Sequence, residues 1–277
     1  MRAKFIDVGG INTRVLYEGD AKNPAIFLIH GFGIGAESWI MNIDALAKDF
    51  FVVAPDLIGH GFTDPIDLKG EPPHSSHIKH LFGVADAFGL KQFYPSGSSY
   101  GALMSALLWF EQPKRVPKLI LNGTGSCFNT EAELSAALQG TLKNASMAIL
   151  SPTLESCRRR MGNTVYDIQM VPDTLLLSQL TAYARPDYAV YWRQSMEGMM
   201  NMEKSRKYRI LERLEKLDVD TLIVWGREDP RGVYARAVEA CKRMPRAKLV
   251  TFEKCGHLPY LEYPELFHTA VKDFLRN

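Results

Sequence analysis

Short apolar runs alternate with amphipathic stretches along the first half of the chain. Arg14–Tyr17, Ala25–Ile29, Phe51–Ala54, Phe93–Tyr94 and Lys118–Asn122 are short, β-branched or aromatic, and bounded by Gly, Pro or Asp, which predicts strands. Between them Glu37–Lys48, Ser75–Phe88 and Tyr100–Glu111 have helical spacing, and the last ends just before Pro113. Strands alternating with helices predict a mostly parallel sheet covered on both faces.

The pattern changes from about Gly125 to Arg213. Only helical periodicity is present there, broken at Pro152, Pro172 and Pro186, and the stretch holds Met196, Met199, Met200 and Met202. Alternation then resumes, with strands at Thr221–Trp225 and Lys248–Phe252 and helices at Val233–Met244 and Pro264–Leu275. The expectation is an α/β core made from residues 1–125 and 214–277, with residues 126–213 inserted as a helical cap. A core of this size buries about three quarters of its unfolded surface.

Composition narrows the partners. Of 277 residues, 46% are hydrophobic and 23% charged, which excludes a disordered or collagen-like chain. Lys+Arg number 33 against 31 Asp+Glu, so nothing calls for a nucleic acid or a membrane surface. No apolar run reaches the roughly 20 residues that span a bilayer. Arg2, Lys4 and Asp7 stand where a signal peptide would be apolar. Cys127, Cys157, Cys241 and Cys255 show no CxxC pairing and read as isolated thiols in a reducing, cytoplasmic setting. The triplets Asn122-Gly-Thr124 and Asn144-Ala-Ser146 read as chance matches.

Gly97-Ser98-Ser99-Tyr100-Gly101 is a G-x-S-x-G pentapeptide between a predicted strand and a predicted helix. A Ser on so tight a turn sits in a strained backbone, with Gly at the flanking positions to avoid clashes. Its hydroxyl is lifted above the sheet, and the helix N-terminus with the Tyr100 N–H points at any anion formed there. A serine needs a base, and the base needs an acid to orient it. His257 follows the strand ending at Phe252, and Asp229 follows the strand before that; Glu228 competes with Asp229. The order Ser99, Asp229, His257 suits a triad on a parallel sheet, where catalytic groups stand at the C-terminal strand ends. The second oxyanion donor is expected from His30-Gly31-Phe32-Gly33, with the Phe32 N–H first and Gly33 second. His30 itself reads as a structural residue of that loop.

These segments, with Asp56-Leu-Ile-Gly-His-Gly-Phe-Thr-Asp64, Trp225-Gly-Arg-Glu-Asp229 and Gly256-His257, make the chain resemble α/β-hydrolase-fold enzymes over nearly its whole length. It is similar in particular to the meta-cleavage-product hydrolases, which cut a C–C bond in ring-fission dienones. That likeness is carried by Gly31-Phe-Gly-Ile-Gly-Ala-Glu-Ser-Trp39, by Pro152-Thr-Leu-Glu155 followed by Val165-Tyr-Asp167, and by Phe252-Glu-Lys-Cys-Gly-His257. Three positions depart from the group. Ser98 stands where Asn is usual, Leu258 where Trp is usual, and Gln179 where an Arg holds the substrate carboxylate, with Arg185 as a nearby cation. These departures set hydrolysis of a small or medium ester ahead of C–C hydrolysis as the expected activity.

The reading implies a cofactor-free serine hydrolase with no metal, acting on a small molecule; its oligomeric state is left open, a homodimer included. Ser98, Gln179, Arg185, Leu258 and Trp192 are the expected substrate contacts, with Tyr166 and Tyr183 roofing an apolar pocket. Other readings compete. Gly31-x-Gly33-x-x-Ala36 with Asp56 matches a nucleotide-binding pattern. A slow hydrolase can serve as a ligand receptor. His74, His77 and His80 at helical spacing read as a solvent-facing stripe rather than a metal site. Arg158-Arg159-Arg160 and Glu203–Lys216 read mainly as solvated faces, with a basic patch guarding the pocket as the alternative.

Overall fold

The apolar runs Ala25–Ile29 and Phe51–Pro55 lie side by side, buried throughout, inside an eight-stranded sheet. Continuous burial is what a strand covered on both faces requires. The structure is a computed structural model that describes residues 1–276. Its strands are Arg2–Val8 (β1), Ile11–Glu18 (β2), Ala25–Ile29 (β3), Phe51–Pro55 (β4), Tyr94–Ser98 (β5), Lys118–Asn122 (β6), Asp220–Gly226 (β7) and Ala247–Phe252 (β8). Their order is β1-β2-β4-β3-β5-β6-β7-β8, parallel from β4 to β8. β1 and β2 form an antiparallel hairpin, and β2 runs antiparallel to β4. The mostly parallel α/β architecture is as expected.

Three local expectations are corrected. β1 went unread, because its only inward positions are half-buried and its turn is set by Gly9 and Gly10 at φ +63° and +85°. The strand expected at Phe93–Tyr94 extends to Ser98. Pro95, Gly97 and two serines are poor strand formers, and pairing to β3 and β6 overrides them. The helix expected over Glu37–Lys48 is a 3₁₀ turn, Ala36–Trp39, and one α-turn, Ile43–Leu46. The break falls at Asn42, whose side chain donates to the Tyr260 carbonyl (3.0 Å) and bonds His268 (3.1 Å), so distant contacts replace the local helix.

Between β6 and β7 every element is helical. The main helices are Glu131–Leu150, Leu154–Gly162, Asp173–Tyr183 and Tyr188–Met200. Two begin with reciprocal caps. Thr130 Oγ1 accepts from Glu133 N while Glu133 Oε2 accepts from Thr130 N at 2.8 Å, and Thr153 and Ser156 make the same exchange at 3.0 Å. Among the described residues, no helix is long and apolar enough to cross a membrane.

Candidate active site

β5 ends at Ser98 and the helix Tyr100–Glu111 starts two residues later, so Ser99 alone turns the chain. Its φ of 53° and ψ of −113° are a strained combination for a side-chain-bearing residue, costing about 1–3 kcal/mol. The flanking glycines make the turn sterically feasible. A Cβ at Gly97 would collide with the Gly101 carbonyl, and one at Gly101 with the Ile29 carbonyl. Asn122 at the end of β6 fixes the turn from both sides. Its carbonyl accepts from Ser99 N, and its side-chain amide donates to the Gly97 carbonyl, each at 2.8 Å.

His257 follows β8, and its Nδ1 donates to the Asp229 carboxylate, 2.9 Å from either oxygen. Asp229 Oδ1 also accepts from the backbone N–H groups of Arg231 (2.7 Å) and Gly232 (3.1 Å). The neighbouring Glu228 instead accepts from Cys255 N at 3.0 Å, which separates the two carboxylates by task. Three further contacts seat the histidine loop. His257 N donates to the Thr164 carbonyl at 3.0 Å. Gly123, at φ +49°, leaves space for the His257 carbonyl, which a Cβ would approach to 2.5 Å. Glu262 accepts from the N–H groups of Gly256 (3.0 Å), Tyr166 (2.7 Å) and Leu258 (3.2 Å).

Ser99, Tyr100, Phe32 and His257 line one cavity of about 140 Å³. The loop after β3 borders Ser99 directly, since a Cβ on Gly31 would lie 3.5 Å from Ser99 Cβ. Gly33 adopts φ +75°. His30 is spent on this loop. Its Nδ1 bonds the Gly31 carbonyl at 2.8 Å, its Nε2 accepts from Leu57 N at 2.9 Å, and burial pushes it down to about 4.

The expected substrate contacts divide. Ser98 and Leu258 line the cavity. Gln179 does not; it donates to Met161 Sδ at 3.2 Å and faces a small separate cavity beside Tyr183. Arg185 also lies away, tied to the Gly61 and Thr63 carbonyls and to Asp187. Trp192 packs against the loop after β3, its ring 6.5 Å from that of Phe32 and inclined to it by 30°, with its Nε1 3.5 Å from where a Cβ on Gly33 would stand. Tyr166 is exposed, and Tyr183 is buried with its hydroxyl donating to the Gly33 carbonyl at 2.6 Å.

Other readings are corrected. His74, His77 and His80 are buried, not solvent-facing. His77 bridges the Tyr100 and Tyr191 hydroxyls, each at 3.0 Å, His80 bonds Thr13 Oγ1 at 2.8 Å, and His74 stacks on Tyr208. Asp56 is not available to a ribose. Its oxygens accept from Arg14, Ala36 N and Phe62 N inside the core. Arg160, the last of the arginine run, is buried and lines the cavity beside Ser99. Arg231 and Glu262 were missed, and Arg160 enters the sequence reading only through the alternative of a basic patch guarding the pocket. For Arg160 a signal was present, because Ser156, Cys157, Arg160 and Met161 repeat at helical spacing on one face.

Comparison with known proteins gives the site its context. A family model described as the alpha/beta hydrolase fold matches residues 24–264. A 2-hydroxy-6-oxononadienedioate/2-hydroxy-6-oxononatrienedioate hydrolase of Burkholderia vietnamiensis is 29% identical, over 99% of this chain and 96% of its own length. A 2-hydroxymuconate semialdehyde hydrolase of a Pseudomonas species is 28% identical, covering 98% and 92%. Among solved structures, the 2-hydroxy-6-oxo-6-phenylhexa-2,4-dienoate hydrolase from a Rhodococcus species superposes with a TM-score of 0.81 at 26% identity, covering both chains fully. These names correct the order of activities expected from Ser98, Leu258 and Gln179. The relatives are ring-fission-product hydrolases, not esterases, so those departures do not move the chain out of their company. With the family model covering most of its length, the chain belongs to the α/β-hydrolase-fold family of enzymes.

Proposed function

We propose that this enzyme hydrolyses a carbon–carbon bond in a 2-hydroxy-6-oxo-dienoate-type ring-fission product. The observation that carries the reading is the extent of the likeness. Identity to named ring-fission-product hydrolases runs over 98–99% of the chain, through the helical segment that lines the cavity as well as the sheet. Ser99 attacks the keto carbonyl carbon, and His257, oriented by Asp229, takes its proton. The N–H groups of Phe32 and Tyr100 hold the oxyanion, each such donor contributing about 3–4 kcal/mol to lowering the barrier. Before the bond breaks the dienol tautomerises to its keto form, a proton leaving the 2-hydroxyl and one joining C5. The C5–C6 bond then breaks with its electron pair passing through the conjugated system to the C2 oxygen, the dienolate takes the proton from His257, and water releases the acid from Ser99. Residues 126–213 act as a lid that excludes bulk water from this sequence of steps. A cytoplasmic location suits the four free cysteines.

The test is turnover of a chromogenic ring-fission dienone beside p-nitrophenyl butyrate, for wild type and Ser99→Ala. Fast bleaching of the dienone, reduced by about 10⁴-fold or more in Ser99→Ala, is the expected result. Cleavage of the ester alone sinks the reading.

A further inference from the structure

The following rests on that reading and concerns how the substrate's carboxylate is held. Three arginines, Arg160, Arg209 and Arg231, line the cavity that contains Ser99 and His257. Arg160 is only 7% exposed. Its guanidinium reaches the Tyr183 hydroxyl and the Phe32 carbonyl, which are neutral. Arg231, two residues after Asp229, donates to the Thr141 hydroxyl. Neither forms an ion pair among the described residues, whereas Arg209 on the same wall is paired with Glu131.

The surrounding acids are committed elsewhere. Asp229 holds His257 and two backbone N–H groups, and Glu262 holds three. Burial, and then the like charge of Arg160, push the Arg231 guanidinium down from its ordinary value. The loop is also shaped around Arg160, since a Cβ on Gly33 would lie 2.9 Å from its Nη2. A buried guanidinium such as that of Arg160, with no counter-ion, destabilises a fold unless something supplies the anion; Arg231 is half-buried beside it. Neither Asp229 nor Glu262 pairs with Arg160 or Arg231, so both guanidiniums face the cavity without a carboxylate partner among the described residues.

We propose that Arg160 and Arg231 together bind the substrate carboxylate, and that this pair, rather than the position held by Gln179, makes the enzyme select an anionic dienoate over a neutral one.

The test is calorimetric binding to the inactive Ser99→Ala protein. The probes are sorbate (hexa-2,4-dienoate) and its neutral amide, sorbamide. Sorbate is expected to bind about tenfold or more tightly than sorbamide. Arg160→Gln and Arg231→Gln should each remove most of that preference and leave sorbamide binding unchanged. Should Arg160→Gln fail to fold, Arg160→Lys, which keeps the charge without the fork, must weaken sorbate alone, and Arg231→Gln still decides. Equal binding of the two probes, or a preference that survives both substitutions, overturns the proposal. Dienone turnover is scored separately. A sorbate preference without dienone turnover sinks the carbon–carbon reading and leaves the anion site standing; turnover without the preference does the reverse.

Discussion

The Glu262 carboxylate brackets His257, accepting from the backbone N–H of Gly256 on one side and of Leu258 on the other. Its third acceptor bond, from Tyr166 N, ties the same loop to the helical segment. Burial pushes Glu262 up from the ordinary carboxylate range even against these three bonds. Glu262→Gln turns one acceptor into a donor facing N–H groups. It should lower kcat about tenfold or more, with KM nearly unchanged, because the imidazole loses its fixed position. Steady-state kinetics with a melting curve decide it; wild-type kcat with a lowered Tm would make Glu262 structural only.

The elbow leaves no room for a methyl group. Gly101→Ala places a Cβ against the Ile29 carbonyl, a backbone atom that cannot swing aside. Destabilisation of about 3 kcal/mol or more is expected, visible as a lower urea midpoint. Gly140→Ala, where a Cβ meets nothing within 4 Å, serves as the control and should be neutral or stabilising.

Asp229→Asn keeps the shape of the site and changes its electrostatics. Asparagine cannot stabilise the imidazolium and accepts from Nδ1 with only one atom. The kcat should fall about 10³–10⁴-fold while the unfolding midpoint stays close to wild type. A loss below tenfold in kcat would falsify the role proposed for Asp229.

Five histidines are buried in neutral form. Burial lowers His30 and His80 to about 4 and His60 and His74 to about 3, and it lowers His77 as well. In the unfolded chain each titrates near 6.5. Below that pH the unfolded chain binds protons that the fold excludes, so stability drops as pH falls towards 4. Each histidine contributes up to about 1.4 kcal/mol per pH unit across its window. Urea midpoints at pH 7.5, 6.5 and 5.5 check this before most carboxylates titrate. A flat response from 6.5 to 5.5 would mean that these rings are protonated in the fold.

The triad candidates were legible because each stands at a strand end, where short apolar runs and glycines mark the positions. The parallel core was legible for the same reason, since β3, β4 and β6 are nearly unbroken apolar runs. What stayed hidden depends on partners far away in the chain. His77 reads as a surface residue until Tyr191 is placed against it. Arg160 was lost inside a run of three arginines, of which Arg158 and Arg159 face solvent. The ester preference failed differently. It rests on single residues, Ser98, Leu258 and Gln179, whereas the likeness to the named hydrolases runs over nearly the whole chain.

Ser99 lies before the helical segment, and Asp229 and His257 lie after it. β6 and β7 pair directly although residues 123–219 separate them. During synthesis, therefore, the serine can be seated on a partial sheet long before either of its partners has left the ribosome. A polypeptide that ends between Asn122 and Gly256 carries the elbow sequence but lacks His257, the base proposed for Ser99, and is expected to be inert rather than a weakened enzyme. Pairing across so long an excursion is also entropically slow to achieve. Completion of the sheet and the onset of activity should accordingly be one late event in the maturation of each molecule.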